Sequence, residues 1–129
     1  MSQPEREMWA ENMRKRIERR MLRRPVTDEQ LAERAKLLNE RHFGGRLRWR
    51  SVSWQDMSNW GDCSVTTGDI RIAKRARTLP EWVVDYLLTH EMAHLEHGDH
   101  GSGFHEMVGR YPFTERAKGY LLAIDHGVA

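Results

Sequence analysis

Two histidines four residues apart carry the clearest chemical signal in this chain. They begin and end the run HEMAH, from His90 to His94. On a helix this spacing places both imidazoles on one face, with ~6 Å between their Cβ atoms, so both can ligate one zinc ion. Glu91, beside the first histidine, is placed to act as a base rather than as a ligand. The pattern predicts a zinc centre with a metal-activated water and a glutamate general base.

A zinc site with two histidines needs a third protein ligand. His97 is in angular register with His90, but it lies ~10 Å away along a straight helix, too far for bonds of ~2.1 Å to one ion. His100 follows Gly98 and precedes two more glycines, so the chain there can leave the helix and turn back. The predicted ligands are therefore His90, His94 and His100, and the open fourth position is typical of a catalytic zinc site.

Glu115 is the alternative third ligand. It lies 24 residues after Glu91, close to where a gluzincin takes its third ligand from a later helix. The transition state also needs a donor for its oxyanion. His105, Arg110 and Tyr111 are the candidates, by their proximity in the sequence alone.

An amphipathic helix must position the histidine pair. Thr78 and Glu81 have the spacing of a capping box, and Pro80 is tolerated in a first turn. The helix is predicted to end at Gly98. Residues spaced by three and four predict one stripe facing a core: Val84, Leu87, Leu88, Glu91 and Leu95.

Several motifs occur in a fixed order around this helix. They are WGDCS at 60–64, GDIRI at 68–72, Leu79-Pro80, Tyr86, HEMAHL at 90–95, His100 and Phe104. This order resembles the YgjP-like family of metallopeptidase-type domains, whose pattern reads W-G-S-C-S, G-x-I-x-L-N, P-x-x-V-x-D-Y, H-E-L-x-H-L and H-S-x-x-F-W. The resemblance extends over residues 27–127.

The resemblance implies a small α+β zincin with zinc on His90, His94 and His100 and with Glu91 as the catalytic glutamate. The expected fold is a short, mostly antiparallel three-stranded sheet, an HExxH active-site helix, and flanking N- and C-terminal helices. Asp62 replaces the family's serine and His105 its tryptophan, which leaves the substrate preference open. SprT-like and WLM-type proteases and the metzincins share parts of the signature, but the WGDCS block favours the YgjP-like family.

Length and composition limit the class of protein and its cellular compartment. A length of 129 residues predicts one folded domain, and no apolar run is long enough to cross a membrane. The first residues are charged and lack the apolar core of a signal peptide, so we expect a cytoplasmic protein. Cys63 is the single cysteine, which excludes an intramolecular disulfide, and we predict it to be a buried strand residue rather than a ligand.

Residues 1–24 form a basic extension, and residues 25–129 form the metallopeptidase-type domain. The extension has eight Arg or Lys against four Glu, which gives +4, whereas the remainder carries −2. Its apolar residues recur every four positions, which predicts an amphipathic helix. The helix could pack on the domain, or its arginines could contact a nucleic acid or an acidic partner. Its stripe consists of Trp9, Met13, Ile17 and Met21.

The remaining patterns predict the flanking elements. Thr27 and Gln30 form a second capping box, and Gly44-Gly45 ends that helix. Residues 46–55 alternate arginines with apolar residues, as a half-exposed strand with a bulge would. A hairpin of residues 63–67 and 69–73 turns at Gly68, and helices follow at 104–108 and 113–126.

The first hypothesis is a zinc-dependent metallohydrolase, specifically a metallopeptidase-type hydrolase acting on a peptide bond. One alternative keeps the metal but hydrolyses a small anionic, nucleotide-like substrate held by the arginine-rich strand. Another is a SprT/WLM-like DNA-associated protease tethered by residues 1–24. A structural zinc domain without turnover is the fourth, and the free acid Glu91 argues against it.

Overall fold

The computed structural model describes residues 24–127, which contain four α-helices and a three-stranded sheet. The α+β class and the three strands are confirmed. The basic extension, apart from Arg24, lies outside the described residues, and so does its predicted helix. No helix in the described range has the length and hydropathy needed to span a membrane. The elements are α1 Asp28–Phe43, β1 Ser51–Gln55, β2 Gly61–Ser64, β3 Asp69–Ala73, a 3₁₀ helix Lys74–Thr78, α2 Glu81–Ala93, α3 Ser102–Gly109 and α4 Thr114–Asp125.

Helix α1 begins and ends as its sequence predicts. The Thr27 hydroxyl accepts a hydrogen bond from the Gln30 amide, and the Gln30 side chain bonds back to the Thr27 amide, so the capping box is confirmed. At the other end Gly44 adopts the left-handed conformation, with φ of 64°, which ends the helix without a Cβ clash. Leu31, Ala35 and Leu38 pack against the core.

The sheet is mixed rather than mostly antiparallel. Its strand order is β1-β3-β2, with β2 and β3 antiparallel as a hairpin and β1 parallel to β3. Since β3 is inserted between its two neighbours, β1 pairs with the returning strand of the hairpin rather than with the outgoing one. Which hairpin strand pairs with β1 depends on contacts between residues that are distant in sequence. The alternation of apolar and polar residues along a strand does not determine it.

Strand β1 is shorter than the predicted 46–55. Asn39 of α1 accepts a hydrogen bond from the Leu47 amide and donates to the Leu47 carbonyl, at 3.2 and 3.1 Å. The backbone groups of Leu47 are thus bonded to a side chain instead of to a strand. Regular pairing starts only at Ser51, which lies opposite Asp69 of β3.

Helix α2 starts without the predicted capping box. The Thr78 hydroxyl donates to the Arg75 carbonyl at 3.0 Å and so ends the 3₁₀ helix, while α2 begins after Pro80. The helix ends at Ala93 rather than at Gly98. It is buried on nearly every side because it packs against α1, the sheet, α3 and α4. It is therefore the central element of the core and carries the histidine pair at its C-terminal end.

The last two helices match the predicted ones closely. Helix α3 buries Phe104 and Val108, as expected for the 104–108 helix, and α4 buries Ala117 and Leu121. Both pack against α2. Both helices therefore pack on the helix that carries the histidine pair.

Candidate metal centre

The structure brings together the three histidines that the sequence singled out. Ligand atoms of His90, His94 and His100 all lie within 4.8 Å of one another, and no other such cluster of His, Cys, Asp or Glu occurs in residues 24–127. His90 is in the last turn of α2 and His94 caps it. The chain then turns at 94–101 and returns His100 to the other two, with ring centroids 5.6 Å from His90 and 4.9 Å from His94. Three imidazoles at this separation can converge on one metal ion.

Hydrogen bonds to the Nδ1 atoms orient two of these rings. His94 Nδ1 lies 2.9 Å from the carbonyl oxygen of His97, and His90 Nδ1 lies 3.3 Å from the Tyr86 hydroxyl. A carbonyl can only accept, so His94 carries its proton on Nδ1 and its Nε2 lone pair is available. A His90 ring that bound a metal through Nε2 would donate from Nδ1 to the Tyr86 hydroxyl. These contacts are the outer-shell partners that metal-binding histidines usually have.

The ring of Phe104 forms the apolar floor of the centre. Its centroid lies 4.5 Å from that of His94, in a stacked arrangement, and 4.9 and 4.8 Å from those of His90 and His100, in edge-on arrangements. Phe104 is 2% exposed. A single buried side chain of α3 therefore fixes the positions of all three imidazoles by packing.

His97 contributes its backbone and not its ring. The ring packs over Gly103 at the start of α3, where a Cβ would lie 2.5 Å from His97 Cε1. The His97 ring can occupy this position because Gly103 has no side chain. His97 is outside the cluster of three, although the helix ends at Ala93 and distance along a straight helix is therefore not the reason. Its carbonyl is the acceptor for His94.

Burial determines the protonation of His90. Desolvation, and then the neighbouring His94 and His100, lower the pKa of His90 to about 4, so its ring is neutral near pH 7. Neutral imidazole is the form that binds a metal. The donor set therefore fits a borderline ion such as zinc.

Glu91 is buried beside the histidines and does not join them. It is 6% exposed, and its carboxylate has no hydrogen-bond partner among residues 24–127. Desolvation, and then the charge of Asp62, raise its pKa to about 8. Strand β2 passes so close that a Cβ on Gly61 would lie 3.1 Å from Glu91 Oε2. A buried carboxyl group beside three imidazoles is placed to exchange a proton within this pocket.

Strand β2, the first strand of the predicted hairpin, forms one wall of the centre. Four residues at 61–65 line a pocket of about 330 Å³ together with the histidines and Glu91: Gly61, Asp62, Cys63 and Val65. Cys63 was predicted to be a buried strand residue, and it is a half-buried residue of β2 that faces this pocket. Burial, and then the charge of Glu91, raise the pKa of its thiol to about 11, so it is neutral. The WGDCS block was the available signal for this wall.

The other sequence candidates lie elsewhere. Glu115 is an exposed residue of α4 that pairs with Lys118 at 3.4 Å and is outside the cluster. Arg110 forms two hydrogen bonds to Glu106. The hydroxyl of Tyr111 donates to the Trp82 carbonyl at 2.8 Å. Neither of these two, nor His105, lines the pocket of the centre.

Comparison with known proteins agrees with this geometry. The model of the YgjP-like metallopeptidase domain matches residues 3–121. The chain belongs to the YgjP-like metallopeptidase family. The match begins within the basic extension and covers the sheet, α2 and the histidines. Curated proteins give no match to the chain.

A solved structure is similar as well. It is the crystal structure of the metallopeptidase zymogen of Pyrococcus abyssi abylysin, with 30% sequence identity and a TM-score of 0.56. The similar region covers 70% of this chain and 85% of that chain. Family and fold therefore both support a function of metallopeptidase type.

Proposed function

We propose that this protein is a zinc-dependent metallopeptidase in which His90, His94 and His100 hold the metal and Glu91 is the general base. The convergence of the three imidazoles on one point, beside a buried and unpaired carboxylate, carries the proposal. Zinc fits because three imidazole nitrogen donors form the protein part of a catalytic zinc site. An ion held by these three side chains would keep a position for water or substrate.

Zinc at this position would supply Lewis-acid chemistry, lowering the pKa of a water molecule and polarising the scissile carbonyl. Glu91 takes the proton from the attacking water on a carboxylate oxygen and then gives it to the leaving amine. Its burial favours the protonated form between these two steps. Tyr86 and the His97 carbonyl hold the rings of His90 and His94 in place through their Nδ1 atoms.

A peptide substrate fits against strand β2, which forms one wall of the metal centre. Among residues 24–127 strand β2 lies at the edge of the sheet, in the order β1-β3-β2, so no strand of this range pairs with its outer side. Its residues Gly61, Asp62 and Cys63 also line the pocket that contains Glu91. An extended peptide paired with this edge passes the metal with its main chain fixed by hydrogen bonds.

The structure gives little support to the small-anion alternative. Arg50 donates two hydrogen bonds to the carboxylate of Asp69. Arg71 donates two to the carboxylate of Asp62. Arg46 is bonded to Glu96 in the same way. Arginines already occupied by carboxylates would have to break these pairs to hold a nucleotide-like substrate. The peptide substrate is therefore the better proposal.

Zinc content and proteolysis, measured together, test this proposal. The full chain should bind one zinc ion by elemental analysis and should cleave an unfolded protein, detected as new N-termini by mass spectrometry. Glu91→Gln should keep the zinc and lower turnover by about 10²-fold or more. Glu115→Gln is the matched control, because this exposed glutamate lies outside the centre, and it should behave like wild type.

Two results would contradict specific parts of the proposal. Full activity in Glu91→Gln would show that the metal is structural or that another residue is the base. Retention of tightly bound zinc in His100→Ala would show that His100 is not a ligand.

A further inference from the structure

A groove of about 390 Å³ lies between α1, α2 and the segment 111–113. It shares no lining residue with the pocket of the metal centre. Charged side chains line one part of it. The other part, which we call the aromatic groove, is lined by Leu38, Trp82, Tyr111, Pro112 and Phe113.

The rings of the aromatic groove remain in contact with water. Phe113 is 45% exposed, and its ring centroid lies 6.5 Å from that of Trp82 and 5.9 Å from that of Tyr111. Tyr120 of α4 extends this surface, because its ring lies 5.6 Å from that of Trp82 and the residue is 37% exposed. A contiguous apolar surface of this kind indicates a contact with another element.

The basic extension has an apolar stripe of its own. Trp9, Met13, Ile17 and Met21 recur every four residues, and basic residues occupy much of the sequence between them. A helix with this pattern gains most of its stability when its stripe packs against an apolar surface. The model of the YgjP-like domain begins at residue 3, so most of the extension lies inside the matched domain. Both observations favour a contact within the chain.

The connection to α1 places the extension beside this groove. Residues 22–27 separate Met21 from the first residue of α1, and Pro25 among them interrupts a helix. A connection of this length joins antiparallel, neighbouring helices in helical bundles. Helix α1 itself forms one side of the aromatic groove, through Leu38.

The lengths of the two helices agree. At 1.5 Å per residue the stripe from Trp9 to Met21 is ~18 Å long, and α1 from its start to His42 is ~21 Å long. A helix that runs back along α1 therefore brings Trp9 to the level of His42. The ring of His42 lies 5.7 Å from that of Tyr111, which in turn lies 5.9 Å from that of Phe113. Trp9 thus reaches the exposed rings.

We propose that residues 9–21 form a helix antiparallel to α1 and that its apolar stripe packs in the aromatic groove. Trp9 packs beside Phe113, and Met13 packs against Leu38. Because the connection is short, the segment has a local concentration of about a millimolar, which favours it over a second copy of the chain. The basic residues on its opposite face stay accessible to an acidic partner.

Hydrogen exchange of the full-length protein, followed by mass spectrometry, tests this contact. Amides of residues 10–21 should exchange at least about tenfold more slowly than in an unfolded chain. Phe113→Asp should remove this protection, because it places a charge in the aromatic groove, and should leave the protection of α2 unchanged. Leu122→Asp is the matched control, since Leu122 is an exposed residue of α4 that does not line the groove. It should keep the protection of residues 10–21. Unprotected amides at 10–21 in the unsubstituted protein overturn the proposal, and so does equal protection in the two variants.

A pair of substitutions in the extension identifies the face that docks. Ile17→Asp should remove the protection of residues 10–21, whereas Lys15→Asp, on the opposite face of the helix, should keep it. The protection should also be the same at all protein concentrations, because the contact is within one chain. Protection that increases with concentration would assign the groove to a second copy of the chain. That result, or equal effects of the two substitutions, overturns the proposal.

Discussion

The Nδ1 atom of His94 lies 2.9 Å from the carbonyl oxygen of His97. The acceptor is backbone, so no side-chain substitution at 97 removes it directly. Its position depends instead on how the turn at 94–101 packs on α3. That packing includes the His97 ring, which lies where a Cβ of residue 103 would be. The orientation of one proposed ligand is thus linked to a glycine on the following helix.

Gly103→Ala should lower zinc affinity by about tenfold, the lower end of the usual effect of disturbing an outer-shell partner. The new methyl group displaces the His97 ring, and the carbonyl moves with the turn. His97→Ala alone should retain affinity, since the carbonyl remains. The double variant should recover most of the loss, because the ring that clashes is gone. Competition with a chromogenic chelator measures all three, and a double variant no tighter than Gly103→Ala would refute the linkage.

Tyr86→Phe should also weaken zinc binding, by about tenfold, with little change in the fold. It removes the hydroxyl that lies 3.3 Å from His90 Nδ1 and keeps the buried ring. Tyr120→Phe is the matched control, because Tyr120 is exposed on α4. Equal zinc affinity in the two variants would mean that the hydroxyl does not position His90.

Much of the candidate centre could be predicted because its signals are local. The spacing of His90 and His94 on a helix, and the glycines that flank His100, depend on neighbours within about three turns. The ends of α1 were predicted from Thr27 and Gly44 for the same reason. Local geometry decides each of these features.

The features that could not be predicted depend on contacts between distant residues. Asn39 bonds to both backbone groups of Leu47 and so shortens β1, which alternation of residues 46–55 did not reveal. Parallel pairing of β1 with β3 likewise rests on tertiary contact. The approach of Gly61 to Glu91 brings Asp62 and Cys63 to the site, and it joins residues 30 positions apart.

The ion pairs of this protein should differ sharply in their effect on stability. Asp85→Asn should reduce the free energy of unfolding by about 3–5 kcal/mol, because it leaves the buried Arg34 guanidinium uncompensated. Glu96→Gln removes an exposed partner of Arg46 and should have little measurable effect. Urea unfolding of the zinc-free proteins measures both. Replacing Arg34 and Asp85 together by methionine and leucine should recover most of the loss.

The basic extension should give salt-dependent binding to DNA if it acts as the proposed tether. With about four phosphate contacts, affinity for a short duplex should fall by about a hundredfold between about 50 and 200 mM salt. A protein beginning at residue 25 should lose this binding and keep its zinc. Fluorescence anisotropy measures the affinity. A truncated protein that binds as well as the full chain would exclude the extension as the tether.

Removal of zinc should make stability depend on the pH through Glu91. In the zinc-free protein the pKa of this carboxyl is about 8, above its ordinary value of 4.5. The folded state therefore holds this proton more tightly than the unfolded state does. The resulting contribution of Glu91 to the free energy of unfolding is complete below pH 4.5 and is lost as the pH rises towards 8. Glu91→Gln cannot lose a proton. The variant should gain stability over wild type across this range, by a few kcal/mol at most.

Comparing the two proteins at each pH isolates the effect of Glu91, because the titration of His90 is common to both. Chelator-treated samples unfolded in urea at pH 5 and at pH 8.5 provide the measurement. A stability difference that is the same at both pH values would show that Glu91 is ionised in the folded protein throughout. In that case burial would not raise the pKa of Glu91 in the folded protein.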